Sequence, residues 1–238
     1  MVQLKYYGDD RDYFKYDLIS FVLTNTDFKQ YGFIPMLTEH RYDNEGNIPP
    51  DPSNCKSKEL LNFIAAHSKP DLNNWELWLK HYVSSYNTLQ PINAEYFNDS
   101  NRISYWEKRN KIISANSSLI FFDPDTGVQA GRASRIKSED KEKYILNNEI
   151  HTILNKLSLS SMFVIYQHLQ RNSKKHESDI KNKCGALTKL DPTLNISIYR
   201  EKDLAFMFIT KSIELSKRIS STLNAYRQKS TVSPRGVY

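Results

Sequence analysis

Cysteine is nearly absent: the 238 residues hold only Cys55 and Cys184, far apart and without a Cys-x-x-Cys partner. That excludes a disulfide framework and a cysteine-based zinc site, and it points to a reducing cytoplasm. No apolar run approaches the ~20 residues that span a bilayer, so no membrane segment is expected. The opening residues, MVQLKYYGDD, lack the basic-then-apolar layout of a signal peptide. Internal repeats and low-complexity segments are missing too. What is present is the composition of a folded protein: 39% hydrophobic and 12% aromatic residues exclude wholesale disorder. The length suits one well-filled α/β core, or such a core with a modest insertion.

Charge is uneven along the chain. Residues 1–128 carry 13 Lys/Arg against 17 Asp/Glu, a net −4, and residues 129–238 carry 20 against 10, a net +10. A cationic surface beside acidic groups suits an enzyme that handles phosphate backbones, and it serves solubility equally well.

The basic half begins just after the stretch around which the chain is organised. Residues 117–127 read SSLIFFDPDTG, a run of β-formers that stops at acid, proline, acid and glycine. Four apolar residues in succession, Leu119 to Phe122, suit a strand buried on both faces of a parallel sheet. Pro124 ends the ladder and Gly127 permits the tight bend behind it. Asp123 and Asp125 are therefore expected just past the C-terminal end of a central strand, where open α/β sheets place ligands and catalytic groups. A turn cap, with both acids bonded to nearby amides, is the structural alternative.

Asp9 or Asp10 caps a predicted helix running to about Thr24, with Phe14, Leu18, Phe21 and Val22 at helical spacing. Asp12 and Lys15 interrupt that face and stand at i, i+3, close enough for an ion pair. Residues 31–37 read as a second buried strand, ending in Thr38-Glu39-His40. Residues 57–117 read as mostly helical: a helix from Ser57, another over 71–86 and a third over 101–114. Their aromatic stripes are assigned to packing. This segment is expected as a helical insertion in a single domain spanning 1–229, with 230–238 as a tail. After the central strand come a polar segment with Arg132 and Arg135, and a helix over 143–157 that counts Tyr144 and Ile145 on its apolar face. A strand over 161–167 then ends in Tyr166-Gln167-His168. A basic helix follows over 173–187, then a hairpin over 195–210 and a final helix over 211–229. Strands alternating with helices imply an α/β, Rossmann-like, mostly parallel sheet with right-handed crossovers, closed by an antiparallel hairpin. Class I methyltransferases share that layout.

Three strand ends would then converge: Thr38-Glu39-His40, Asp123-Pro124-Asp125 and Tyr166-Gln167-His168. Neighbouring parallel strands lie ~5 Å apart, so their ends can share one pocket. The segments DYFKYDL (from Asp12), FFDPDTG (from Phe121) and VIYQH (from Val164) resemble three motifs of a poorly characterised prokaryotic family. Its central motif usually reads FFDPDNG, so Thr126 departs from it. More distantly, the layout is similar to the bacterial large-subunit rRNA adenine methyltransferases. Those begin with a Gly-Asn-x-x-Asp-x-x-Lys-His helix and carry Asp-Pro-Pro-Tyr after the fourth strand. Gly8, Asp12 and Lys15 match the first motif in part, with Tyr16 where His is usual, and Asp123-Pro124 match half of the second.

The resemblance implies that Asp123 accepts hydrogen bonds from a target amino group, with Lys15 organising the pocket and Asp125 central to it. It implies S-adenosylmethionine as methyl donor, near Gly8, Thr38, Glu39 and His40. A nucleic acid or nucleotide would be the partner, contacted by Asp12, Tyr166, Gln167, Arg132, Arg135 and Arg171. The chain departs from the pattern in two places: Asp125-Thr126 replace Pro-Tyr, and no Gly-x-Gly turn follows Leu37. Two other readings stay open. Asp123 and Asp125 could ligate Mg2+ or Mn2+ in a nuclease or a nucleotidyl or glycosyl transferase, with His168 assisting proton transfer, because hard cations favour oxygen ligands. Pro124-Asp125 with Glu139 and Lys141 spells a loose PD…ExK pattern for that reading. Alternatively, the chain is a non-catalytic module that binds nucleic acid or a nucleotide.

Overall fold

The computed structural model describes residues 6, 8–39, 49–66, 83, 87–89, 95–129, 136–169, 172–201 and 203–231. The predicted helix over 71–86, nearly all of it, and residues 232–238 of the expected tail lie outside these.

Helix α1 (Asp10–Thr24) starts where Asp9 accepts from the amides of Arg11 and Asp12. Two acids in its first turn, Asp10 and Asp12, suit the positive end of the helix dipole. Strand β1 (Gln30–Pro35) follows, then helix α2 (Lys58–Ala66) and the short strand β2 (Asn87–Thr88). Helices α3 (Arg102–Lys108) and α4 (Asn110–Ile113) lead into β3 (Ser118–Asp123). Beyond the turn, β4 (Gly127–Val128) pairs in parallel with β5 (Tyr144–Ile145), which precedes α5 (Asn147–Asn155) and β6 (Met162–His168). Helix α6 (His176–Leu190), the hairpin β7 (Asn195–Glu201) and β8 (Leu204–Thr210), and helix α7 (Ile213–Gln228) complete the described chain.

The main sheet runs β2-β1-β3-β6-β8-β7. Strands β2, β1, β3 and β6 are mutually parallel, and β8 runs antiparallel between β6 and β7. The α/β, Rossmann-like, mostly parallel sheet with a closing antiparallel hairpin is thus the architecture. The expectation for 57–117 had no strand in it, yet Asn87–Thr88 adds an edge to β1. Two residues of pairing are too short to leave a periodic signal.

Strand β3 is buried along its whole length, as its unbroken apolar run requires. Its alternate residues feed two cores. Leu119 and Phe121 pack with α1, Phe206 and Tyr226 on one face. Ile120 and Phe122 pack with Ile112, Ile153 and Leu187 on the other. The helical segment between β2 and β3 therefore helps cover one face of the sheet. Its Arg102 is locked by Glu149 at 2.7 and 2.5 Å and also donates to the carbonyls of Lys141 and Tyr144. That ties α3 to α5 and β5.

Candidate functional site

Register places the site. Pro35 pairs with Asp123, and Phe122 with Ile165, so the C-terminal ends of β1, β3 and β6 lie side by side. Over them stands the first half of α1. Its Lys15 side chain is 3% exposed, and its Nζ lies 2.9 Å from Asp123 Oδ2 and 3.1 Å from Asp12 Oδ1. The same ammonium sits 4.4 Å from the centre of the Tyr166 ring, a cation–π contact. Tyr16 completes the set, its hydroxyl donating to Asp12 Oδ2 at 3.4 Å. The i, i+3 pair anticipated on α1 forms, and it is a buried pair that reaches the central strand.

Burial governs the protonation states. It pushes the Asp123 carboxyl up to about 6, against the pull of the Lys15 ammonium. For Lys15 burial acts downward, but the carboxylates of Asp123 and Asp12 outweigh it and hold the side chain cationic. Tyr166 is raised by burial and stays a neutral phenol. Three buried polar atoms at these strand ends have no hydrogen-bond partner among the described residues: Asp123 Oδ1, Tyr166 Oη and Thr38 Oγ1. Such atoms are costly to leave unmet, about 1–3 kcal/mol each. They mark where a polar ligand would be satisfied.

The remaining predicted residues fall differently. Asp125 is buried in the turn. Gln167, expected to touch substrate, has its amide spent on the same turn. Its Oε1 accepts from Val128 N at 3.0 Å, and its Nε2 donates to the Thr126 and His168 carbonyls, both at 2.8 Å. Gln167 thus shapes the Asp-Pro-Asp-Thr-Gly loop and has no amide group left for a ligand. Gly127, at φ +128°, lies directly against that amide. His168 pairs with Asp203 at 3.5 Å, while its Nδ1 meets the Leu169 carbonyl at 3.0 Å. Burial, then the nearby Arg11 guanidinium, lowers its pKa and favours neutral imidazole. Gly8 takes a positive φ, +81°, just before the Asp9 cap. Glu39 is exposed beyond β1. His40, Arg132, Arg135 and Arg171 lie outside the described residues.

Sequence reasoning missed Asp203 and Arg11, joined at 2.8 Å and linked to His168. The Glu201-Lys202-Asp203 hairpin turn was visible, but nothing local says that it meets the start of α1, 192 residues away.

The residues after β1 bear on a methyl donor. Met36 N donates to Asp123 O at 3.1 Å, and Leu37 O accepts from Phe97 N at 2.6 Å. The backbone here is engaged by protein, and no glycine opens it. The Thr38 hydroxyl is the group that remains available, and in that respect the site fits a donor with polar substituents. The metal reading fares differently. Lys15 already supplies the cation beside Asp123. Among the described residues no group of three or more His, Cys, Asp or Glu side chains could hold a metal ion. The ExK half of the loose nuclease pattern lies in a 3-10 turn, Ser138–Lys143.

No protein-family model matches the sequence. No curated protein matches it. Among solved structures, the chain is similar to human methyltransferase-like protein 13 in complex with SAH, at a TM-score of 0.37 and 10% identity over 93% of each chain. Among the described residues, no helix is long and apolar enough to cross a membrane.

Proposed function

We propose that the chain is a methyltransferase-like enzyme acting on an exocyclic amine of a nucleobase, in a nucleotide or a nucleic acid. One observation carries this reading: Asp123 keeps one carboxylate oxygen on Lys15 and buries the other without a partner among the described residues. An amino N–H of the target supplies what Oδ1 lacks. Held from one side, the amine is fixed with its lone pair directed away from Asp123, the orientation that nucleophilic attack needs. Lys15 keeps the carboxylate ionised near neutral pH and fixes its rotamer. Tyr166 brings a buried ring and a free hydroxyl to the same rim, which suits contact with a base.

The donor class that fits is S-adenosylmethionine, which when bound supplies an electrophilic methyl carbon. Thr38 would hold it through its unpartnered hydroxyl, in place of a glycine turn. The net +10 of residues 129–238 supports a phosphate-bearing partner. The metal reading is the weaker one, because a divalent ion would have to share Asp123 with an ammonium already bound to it.

The test is calorimetric titration of the full chain with S-adenosylmethionine and with magnesium, beside transfer of a labelled methyl group to cellular RNA, DNA and nucleotides. The expected outcome is heat with the methyl donor and a labelled product. Asp123→Asn should cut transfer on the order of a hundredfold. Heat with magnesium and none with the methyl donor would overturn the proposal.

A further inference from the structure

A cavity of about 470 Å3 opens between the start of α1, the β7–β8 turn and the C-terminal end of α7. It borders Arg11 and Phe14, on the helix whose Asp12 and Lys15 face the candidate site. Its size is that of a small-molecule pocket. Its charges are unevenly satisfied. Asp10 is occupied by the Asp51 amide at 2.6 Å and by Asn54 Nδ2 at 3.2 Å. Asp203 is held by Arg11. The remaining lining carboxylate, Glu201, accepts from the Tyr199 hydroxyl at 3.3 Å.

Besides Arg11, which pairs with Asp203, three lining cations stand against it. Lys56 Nζ donates to the Tyr226 carbonyl at 2.8 Å and lies over the Tyr226 ring. Arg227 makes one long hydrogen bond, 3.5 Å to Asn224, and its guanidinium lies 5.4 Å from the centre of the Tyr199 ring. Neither of the two forms an ion pair with a described residue. Lys229 reaches a carboxylate at 3.9 Å, that of Asp17. Burial lowers the Lys56 pKa; the carboxylates of Glu201 and Asp17 oppose that, and the charges of Lys229 and Arg227 add to it. Lys56, Arg227 and Lys229 line one cavity with Glu201 as the lining carboxylate left to balance them, and an anion placed among them relieves their mutual repulsion.

We propose that this cavity binds the phosphate of a nucleotide, with Lys56, Arg227 and Lys229 contacting the anion and Phe14 and Tyr199 walling its base. Arg227 has most of its fork free for bidentate contact with phosphate oxygens. Glu201 is placed to accept from ribose hydroxyls or a base amine. The nucleotide arrives either free in solution or as one unit of a single strand. The inference does not rest on the reading of Asp123.

The experiment titrates the full chain with adenosine monophosphate, inorganic phosphate and a single-stranded pentanucleotide. It compares wild type, Arg227→Gln/Lys229→Gln and the charge-matched control Lys111→Gln/Lys217→Gln. Nucleotide binding that excess phosphate displaces is expected. Its affinity should fall about tenfold or more in the Arg227→Gln/Lys229→Gln variant and stay unchanged in Lys111→Gln/Lys217→Gln, which removes the same charge from two exposed positions outside the cavity. Tighter binding of the mononucleotide identifies a free ligand, and tighter binding of the pentanucleotide identifies a strand. Equal affinity in Arg227→Gln/Lys229→Gln, an equal loss in the control Lys111→Gln/Lys217→Gln, or no binding of either nucleotide probe overturns the proposal. Arg227 is exposed and Lys229 half-exposed, so their replacement leaves the core intact. Circular dichroism checks this, and Lys56→Gln alone is the second variant.

Discussion

At the scale of single residues, Lys15 and Asp123 decide the site. An ammonium buried to 3% exposure is tolerable because two carboxylates and an aromatic face surround it. Lys15→Ala strands Asp12 and Asp123 without their cation. The expected cost is about 3–5 kcal/mol in urea unfolding, the range for breaking one side of a buried pair. Acid acts on the same pair with a definite sign. The Asp123 carboxyl, at about 6 when folded and 3.8 as a free side chain, takes up its proton more readily in the native state. Its protonation therefore contributes stability that is complete below 3.8 and lost as pH rises through about 6. Function runs the other way, because the acceptor exists above that midpoint. Carbon-detected NMR should show one carboxyl titrating near 6 that is missing from Asp123→Asn. Methyl transfer should fall as pH drops through the same value.

At the scale of elements, the loop from Asp123 to Gly127 is held by a side chain from the neighbouring strand. Gln167 satisfies the Val128 amide and two carbonyls, so the loop takes one shape. Gln167→Leu leaves that amide buried and unmet, for an expected loss of about 1–3 kcal/mol. Gly127→Ala is expected to be at least as harmful, because it combines a positive φ with a methyl group driven into the Gln167 amide. Thermal melts of both variants, beside the titration of Asp123, would show whether loop shape and carboxyl environment move together. The long strands of the main sheet and the long described helices were legible in the sequence because apolar runs and helical spacing are local signals; Tyr144 and Ile145, read into the helix over 143–157, instead form β5, because pairing with β4 is not a local signal. The β3 run and the Asp9 cap stand where the pattern put them. Strand β2 was not legible, since two residues of edge pairing depend on β1 alone.

At the scale of the whole molecule, charge is the property to measure. Residues 129–238 hold the excess of Lys and Arg, and the cavity beside α7 gathers cations from Lys56 and from residues 227 and 229. If a single strand binds along this rim, its affinity should fall steeply with salt. The slope of log affinity against log salt should be about −0.7 for each phosphate neutralised. Arg227→Gln/Lys229→Gln should flatten that slope, whereas Asp123→Asn should leave it unchanged. Fluorescence anisotropy over a series of salt concentrations checks both.

The sequence alone determined the layers: which segments are strands buried on both faces, which helices flank them, and that acids follow the central strand. Apolar periodicity, capping residues and proline act over a few positions, so they can be read from the chain. Tertiary structure decided which acid does what. Asp123 meets Lys15 across 108 residues of chain, and Gln167 closes on Val128 across 39. His168 goes to Asp203 because the hairpin turn arrives there. Those partnerships are set by strand order and register, which place distant residues in contact, and by burial, which makes an unmet carboxylate oxygen conspicuous.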